Sequence, residues 1–163
     1  MINWKSIINA GIFGGIAMSL WIMIMHKLNL TAMDLGIYDG SFITGSATGT
    51  ATLIAGLLIH LSVSVIISFI YAFAYDKILG AASAFYGTVL GTFHWLISGI
   101  AVHFMDKMNP LVQQGQIPPL KLYAHGYGLA SILIFLIGHL IYGFFNGLYY
   151  QITGSKPFIY YKK

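Results

Sequence analysis

Four runs of the chain contain no Asp, Glu, Lys or Arg: residues 6–25, 40–75, 78–105 and 122–155. A helix needs about 20 apolar residues to cross the hydrocarbon layer, so each run holds one crossing. The second and fourth runs are longer than this and leave spare length for interfacial ends. The pattern predicts four transmembrane helices, over about 6–26, 50–75, 81–105 and 124–150. Loops 27–49 and 106–123 then share one face of the membrane. All four prolines (Pro110, Pro118, Pro119, Pro157) fall outside the runs, so nothing obliges a kink. The first run is followed by "MHKLNLTAMD", with no small-x-small cleavage site, and reads as a retained anchor.

The segments repeat in pairs. "HLSVSVIISFIY" (60–71) and "HLIYGFFNGLYY" (139–150) both place His-Leu first, small residues four and eight positions on, and Tyr eleven on. The first and third segments align as well, "GIF" (11–13) with "GTF" (91–93) and "MHKLN" (25–29) with "MDKMN" (105–109). The expected fold is therefore all-α: a polytopic membrane four-helix bundle made of two duplicated helical hairpins. Each copy crosses twice, so their pseudo-twofold axis would run along the membrane normal. Small residues spaced by four let backbones approach closely. Gly11, Gly15 and Ser19, Gly87 and Gly91, Ser64 and Ser68, and Gly143 and Gly147 are the expected packing grooves.

Polar side chains also fall on helical stripes. His60, Ser64, Ser68, Tyr71 and Tyr75 share one face of the second segment; His139, Tyr142, Asn146 and Tyr149 share one face of the fourth. Polar groups are costly in lipid, so both stripes should point into the bundle. His60 and His139 each lie eleven residues from a Tyr at the boundary. That is about 16 Å, near the middle of a core about 30 Å thick. His94 falls at a similar depth. The three would converge as a buried histidine cluster.

His26, His103 and His125, with Met25, Met105 and Asp106, gather at the loop face and form a candidate entrance; Met23, Met33, Met108, Asp34 and Asp39 lie nearby. His103 is nine residues from His94, half a turn out of phase, so one helix cannot aim both at the same line. Imidazole with thioether and no thiolate suits copper or haem iron better than zinc. Haem b would be held by two histidines on facing helices, with Phe93, Phe135, Phe144 and Phe145 lining the macrocycle. The competing reading is interhelical hydrogen bonding by each histidine, worth about 1 kcal/mol; a third is proton transfer.

Composition supports the membrane reading: 58% of residues are hydrophobic and 7% charged, against about a quarter charged in soluble domains. There is no Cys, Arg or Glu. This removes disulfides, iron–sulfur clusters, Glu-based di-metal sites and Arg clamps for phosphate. The net charge of +4 suits an anionic lipid surface, not nucleic acid. Lys5, Lys77, Lys156, Lys162 and Lys163 lie on one side and Lys27, Lys107 and Lys121 on the other, which puts both termini in the cytoplasm. Trp4, Tyr71, Tyr75, Tyr86, Tyr149, Tyr150, Tyr160 and Tyr161 form an aromatic belt on the same side.

With its Gly-rich first segment, "LLIHL" (57–61) and "GHLIYG" (138–143), the chain resembles a broad group of small bacterial four-helix integral membrane proteins of unknown function. The likeness covers nearly the whole chain. It implies the fold and a bacterial inner-membrane location, and carries no activity. Two functions compete: a ligand-binding membrane protein holding haem or copper for electron transfer or metal delivery, and a non-catalytic accessory subunit packing through glycine faces. An oligomeric transporter or proton channel is a third. No nucleophile–base pair marks an enzyme. Partners are the bilayer and a homo-oligomer or larger membrane complex.

Overall fold

The computed structural model describes residues 3–152, so Pro157, Lys156, Lys162, Lys163, Tyr160 and Tyr161 lie outside the described residues. It is all-helical, with no strand among the described residues. Helix α1 (Trp4–Lys27) starts at Asn3, whose side chain accepts from the Ser6 amide at 3.2 Å. Helix α2 (Leu35–Thr44) lies inside the first expected loop. It is capped by Asp34, which accepts from the Ile37 amide at 3.1 Å, and stopped by left-handed Gly45. Helix α3 (Thr50–Phe73) continues through one wide turn, Ala74–Leu79, to Gly80. Helix α4 (Ala84–Met108) begins at Ser83 and a short α5 (Pro110–Gln113) begins at Asn109. Helix α6 (Leu129–Tyr149) starts later than 124 because Tyr123 and Ala124 have φ of 56° and 63°, which no continuous helix tolerates.

Four helices, Trp4–Lys27, Thr50–Leu79, Ala84–Met108 and Leu129–Tyr149, are long and apolar enough to cross a membrane. The first and last described residues, where the Asn3 side-chain amide donates to the Gln151 carbonyl at 3.1 Å, lie with the 80–83 turn at one end of the bundle; α2, α5 and the 122–127 turn cap the other. Helix α6 sits between α1 and α4, α1 packs on α3 as well, and α2 lies across α3. Helices α3 and α4 barely touch.

Glycine sets these crossings. A methyl at Gly87 would strike the Gly143 carbonyl and a methyl at Gly143 the Gly87 carbonyl, so α4 and α6 meet backbone to backbone. Gly91 faces the His139 carbonyl, Gly147 the Ser83 carbonyl, and Gly14 the Tyr142 ring. Gly11 and Gly15 lie against Ser64 of α3.

The loop-end cap is held by two buried polar side chains. Asp106 Oδ1 accepts from the Tyr38 hydroxyl at 2.8 Å and the Leu120 amide at 2.9 Å, and its Oδ2 from the Lys121 amide at 2.6 Å. Asn109 donates to Ser41 Oγ at 2.8 Å and to the Tyr38 carbonyl at 3.3 Å, while its own oxygen accepts from the Leu111 amide at 3.0 Å. Burial, reinforced by the Asp106 carboxylate, pushes the Tyr38 phenol well above the ordinary tyrosine range, so it stays a neutral donor.

Candidate ligand site between α3 and α4

Because α3 and α4 stand apart, a cleft of about 380 Å³ opens between them. Its floor is built from α6, whose Phe135, His139 and Tyr142 are all buried. Its rim is apolar and exposed: Val63 and Ile70 from α3, Phe93 and Ile97 from α4. The cleft therefore opens sideways on the apolar flank of the bundle.

His94 and His139 meet at this floor, with ring centroids 4.6 Å apart and planes at 78°. His139 is held by its own helix: Nδ1 lies 2.8 Å from the Phe135 carbonyl, which can only accept, so Nδ1 carries the proton. Its Nε2 then offers a lone pair. His94 Nδ1 lies 3.4 Å from the Tyr71 hydroxyl. Tyr142 stacks edgewise on His94 at 5.3 Å and donates to the Ser64 carbonyl at 2.6 Å. Asn146 donates to Ser68 Oγ at 2.9 Å, tying α6 to α3. Ser64, Tyr71, Tyr142 and Asn146, the expected interior stripe, are all buried.

His60 stands elsewhere on the same cleft. Its Nδ1 lies 3.6 Å from Asp39 Oδ2 of α2, and its Nε2 is buried without a partner. Among the described residues no three His or Asp side chains are grouped to hold one metal ion. His60 also lines a second cavity of about 360 Å³ at the loop end, together with His26, Lys27, Met33 and Asp34. No protein family, curated protein or solved structure matches this chain.

The residues expected at the entrance divide. His26 lines the loop-end cavity and Met105 the cleft. Met25 packs half-buried against the core. His103 sits edge-on to Phe104 beside it in sequence, at 5.9 Å, and lines neither cavity. His125 is exposed and its Nδ1 donates to the Leu122 carbonyl at 2.9 Å, bracing its own turn. Asp106 has both oxygens engaged in the cap. Sequence reading passed over the place of Asp39 and Tyr38 in the cleft wall, since both lie on α2. The Asp34 cap and Gly45 stop were the available signals for that helix.

Proposed function

We propose that the chain is an integral membrane protein of the bacterial inner membrane that holds haem or copper in the α3–α4 cleft, anchored by His94 and His139. The observation that carries this reading is the His139 tautomer. A ring whose Nδ1 proton is committed to a backbone carbonyl presents Nε2 as the imidazole state that ligates metals or accepts a hydrogen bond. In a bilayer the exposed apolar rim faces acyl chains, a route open to haem and closed to a free copper ion.

Haem b and copper remain the named candidates, in altered form. Two imidazoles that held one metal between them by bonds of about 2 Å would stand roughly 6 Å apart between centroids. The observed 4.6 Å is shorter. His94 and His139 would therefore hold the group from one side, supplying one imidazole nitrogen to haem or two to copper. His60 is a wall residue in this scheme.

The hairpin duplication is part of the proposal. Gly11 and Gly15 meet Ser64 much as Gly87 and Gly91 meet Gly143 and His139. This equates Gly11 with Gly87, one helical turn from the sequence alignment. The twofold relation is approximate, since α1 packs on α6 while its counterpart pair, α3 and α4, stands open. Lys5 and Lys77 at the termini end favour cytoplasmic termini.

The splayed α3 and α4 support a second reading. In their most apolar stretches only 17% of residues are buried, against 39% in α1 and 44% in α6, so a helix of a partner subunit or second copy would cover them. Protein purified in mild detergent separates the two. An absorption band or stoichiometric copper, lost in both His94→Ala and His139→Ala, supports the ligand. A colourless, metal-free protein whose native mass includes a second chain overturns it in favour of the accessory subunit.

A further inference from the structure

The loop-end cavity of about 360 Å³, walled by α1, α2 and α3, shares no residue with the floor of the α3–α4 cleft. Its two long walls can be set in register. A methyl at Gly11 would touch Ser68 and one at Gly15 would touch Ser64, so the helices run antiparallel and four residues along α1 match four back along α3. One more turn puts Ser19 level with His60, and the same register puts His26 level with Leu53. All four line the cavity. His60 and Leu53 are seven residues apart on α3, so His26 and His60 stand at levels about 10 Å apart. The cavity is therefore a slot along the α1–α3 seam, with an imidazole at each end and Ile22, Met23 and Leu57 between them. Its inner end is closed where Gly15 meets Ser64 and Leu61.

Both ends are short of partners. His26 Nδ1 and His60 Nε2 are buried without a hydrogen bond, a condition rare for buried polar atoms unless something else fills the space beside them. One metal ion cannot serve both, because its bonds to nitrogen are only about 2 Å long. At the outer end Lys27 is exposed and, among the described residues, makes no salt bridge. Asp34 lines the same end, with its Oδ1 taken by the Ile37 amide as the cap of α2. At the inner end Asp39 Oδ2 lies 3.6 Å from His60 Nδ1. An ionised carboxylate only accepts, so Nδ1 carries a proton and Nε2 is the nitrogen left over.

We propose that the slot binds a medium-chain carboxylate with a hydroxyl at the far end of its chain. The carboxylate pairs with Lys27 and accepts from His26 Nδ1, the chain lies on Ile22, Met23 and Leu57, and the hydroxyl meets His60 Nε2. A hydroxyl both donates and accepts, so it satisfies that nitrogen whether or not the nitrogen carries a proton. An extended chain advances about 1.2 Å per bond, so about eight carbons span the two imidazoles. Met23, Leu53 and Leu57 are at least 44% exposed and open the slot sideways to acyl chains, the phase that concentrates such an amphiphile. A plain fatty acid would leave His60 Nε2 against a methyl group. This goes beyond haem or copper binding and does not rest on it, since His94 and His139 lie outside the slot.

The test is equilibrium dialysis of radiolabelled 8-hydroxyoctanoate and octanoate against full-length protein in lipid nanodiscs, with empty nanodiscs as baseline. Wild type should bind both acids saturably, and 8-hydroxyoctanoate about tenfold more tightly. In wild type, 2-hydroxyoctanoate, whose hydroxyl sits beside the carboxylate, should bind only as well as octanoate. His60→Leu should keep octanoate binding, which reports a folded slot, and bring 8-hydroxyoctanoate down to the octanoate value. Lys27→Gln should weaken both acids by roughly fivefold, and His94→Ala should change neither. Binding no greater than in empty nanodiscs overturns the proposal. So do equal affinities for 8-hydroxyoctanoate and octanoate in wild type, equal affinities for the 2- and 8-hydroxy acids, or a tenfold preference that survives His60→Leu. Loss of 8-hydroxyoctanoate binding in His94→Ala puts the acid in the cleft and overturns the slot. Absorption and metal content of the same nanodiscs report haem or copper separately, so either reading can fail alone.

Discussion

Two glycines of α6 five residues apart make opposite demands. A methyl at Gly138 would meet Met18, Trp21 and Ile22 side chains at 3.4–3.6 Å, ordinary van der Waals contact. Gly138→Ala should therefore keep only the benefit of alanine in a helix interior, about 0.5–1 kcal/mol of stabilisation. At Gly143 the same methyl would enter the Gly87 carbonyl, and backbone cannot turn aside as a side chain can. Helices α4 and α6 must separate, which costs about 1–3 kcal/mol in overpacking before the helix benefit is returned. With the higher end expected for backbone contact, the two variants should differ by about 2–3 kcal/mol. Reversible unfolding by increasing SDS in mixed micelles reads this difference directly. Gly87→Ala together with Gly143→Ala should cost less than the sum, since the first methyl already parts the helices. Equal stability of the Gly138 and Gly143 variants, within about 0.5 kcal/mol, would refute the backbone-to-backbone crossing.

Asp106→Asn leaves one acceptor oxygen for three donors and turns an NH₂ toward an amide, costing about 1–3 kcal/mol locally. Hydrogen exchange at Leu120 and Lys121 should quicken accordingly; unchanged protection would mean the cap does not depend on this carboxylate. Tyr127 donates to the Pro118 carbonyl, and burial, with smaller contributions from Asp106 and Asp34, pushes its phenol up to about 12. A raised pKa means its stabilisation is complete below the ordinary value near 10 and is lost as pH rises through about 12. The tyrosinate absorbance difference between wild type and Tyr127→Phe should therefore rise near pH 12, and a rise near 10 would contradict the burial.

The long helices were legible because their signal is coarse: charge-free runs of sufficient length survive errors of a few residues at each end. The small-residue grooves were legible for a related reason, since a spacing of four marks a face whatever packs on it. Depth along a helix could be counted from the sequence, but rotation and splay could not. His94 and His139 meet because α4 and α6 touch through glycine; His60, at the same counted depth, is separated by the opening between α3 and α4. Its near neighbour is Asp39, on a helix hidden within an apparent loop. Asp106 looked like an entrance group because it is a charge at a boundary. Two of its three partners are backbone amides, which no side-chain pattern reveals. The late start of α6 depends on left-handed Tyr123 and Ala124, residues that give no local warning.

The central place of α6 has a consequence for how the protein is made. For a chain threaded into a bilayer in order of synthesis, α1, α3 and α4 would all be delivered before the helix that α1 and α4 share. Until α6 leaves the ribosome, Gly14, Gly87 and Gly91 face no partner, and α4 is tethered to the rest only through the 80–83 turn and the loop-end cap. The Asp106 and Asn109 bonds to Tyr38 and Ser41 are already available at that stage. They act as a clasp that holds the end of α4 on α2, and through α2 near α3, while the place α6 will fill beside α1 and α4 is vacant. A nascent chain stalled before Leu129 should therefore be a substrate for membrane quality control, and loosening the clasp should increase its turnover before it alters the finished protein.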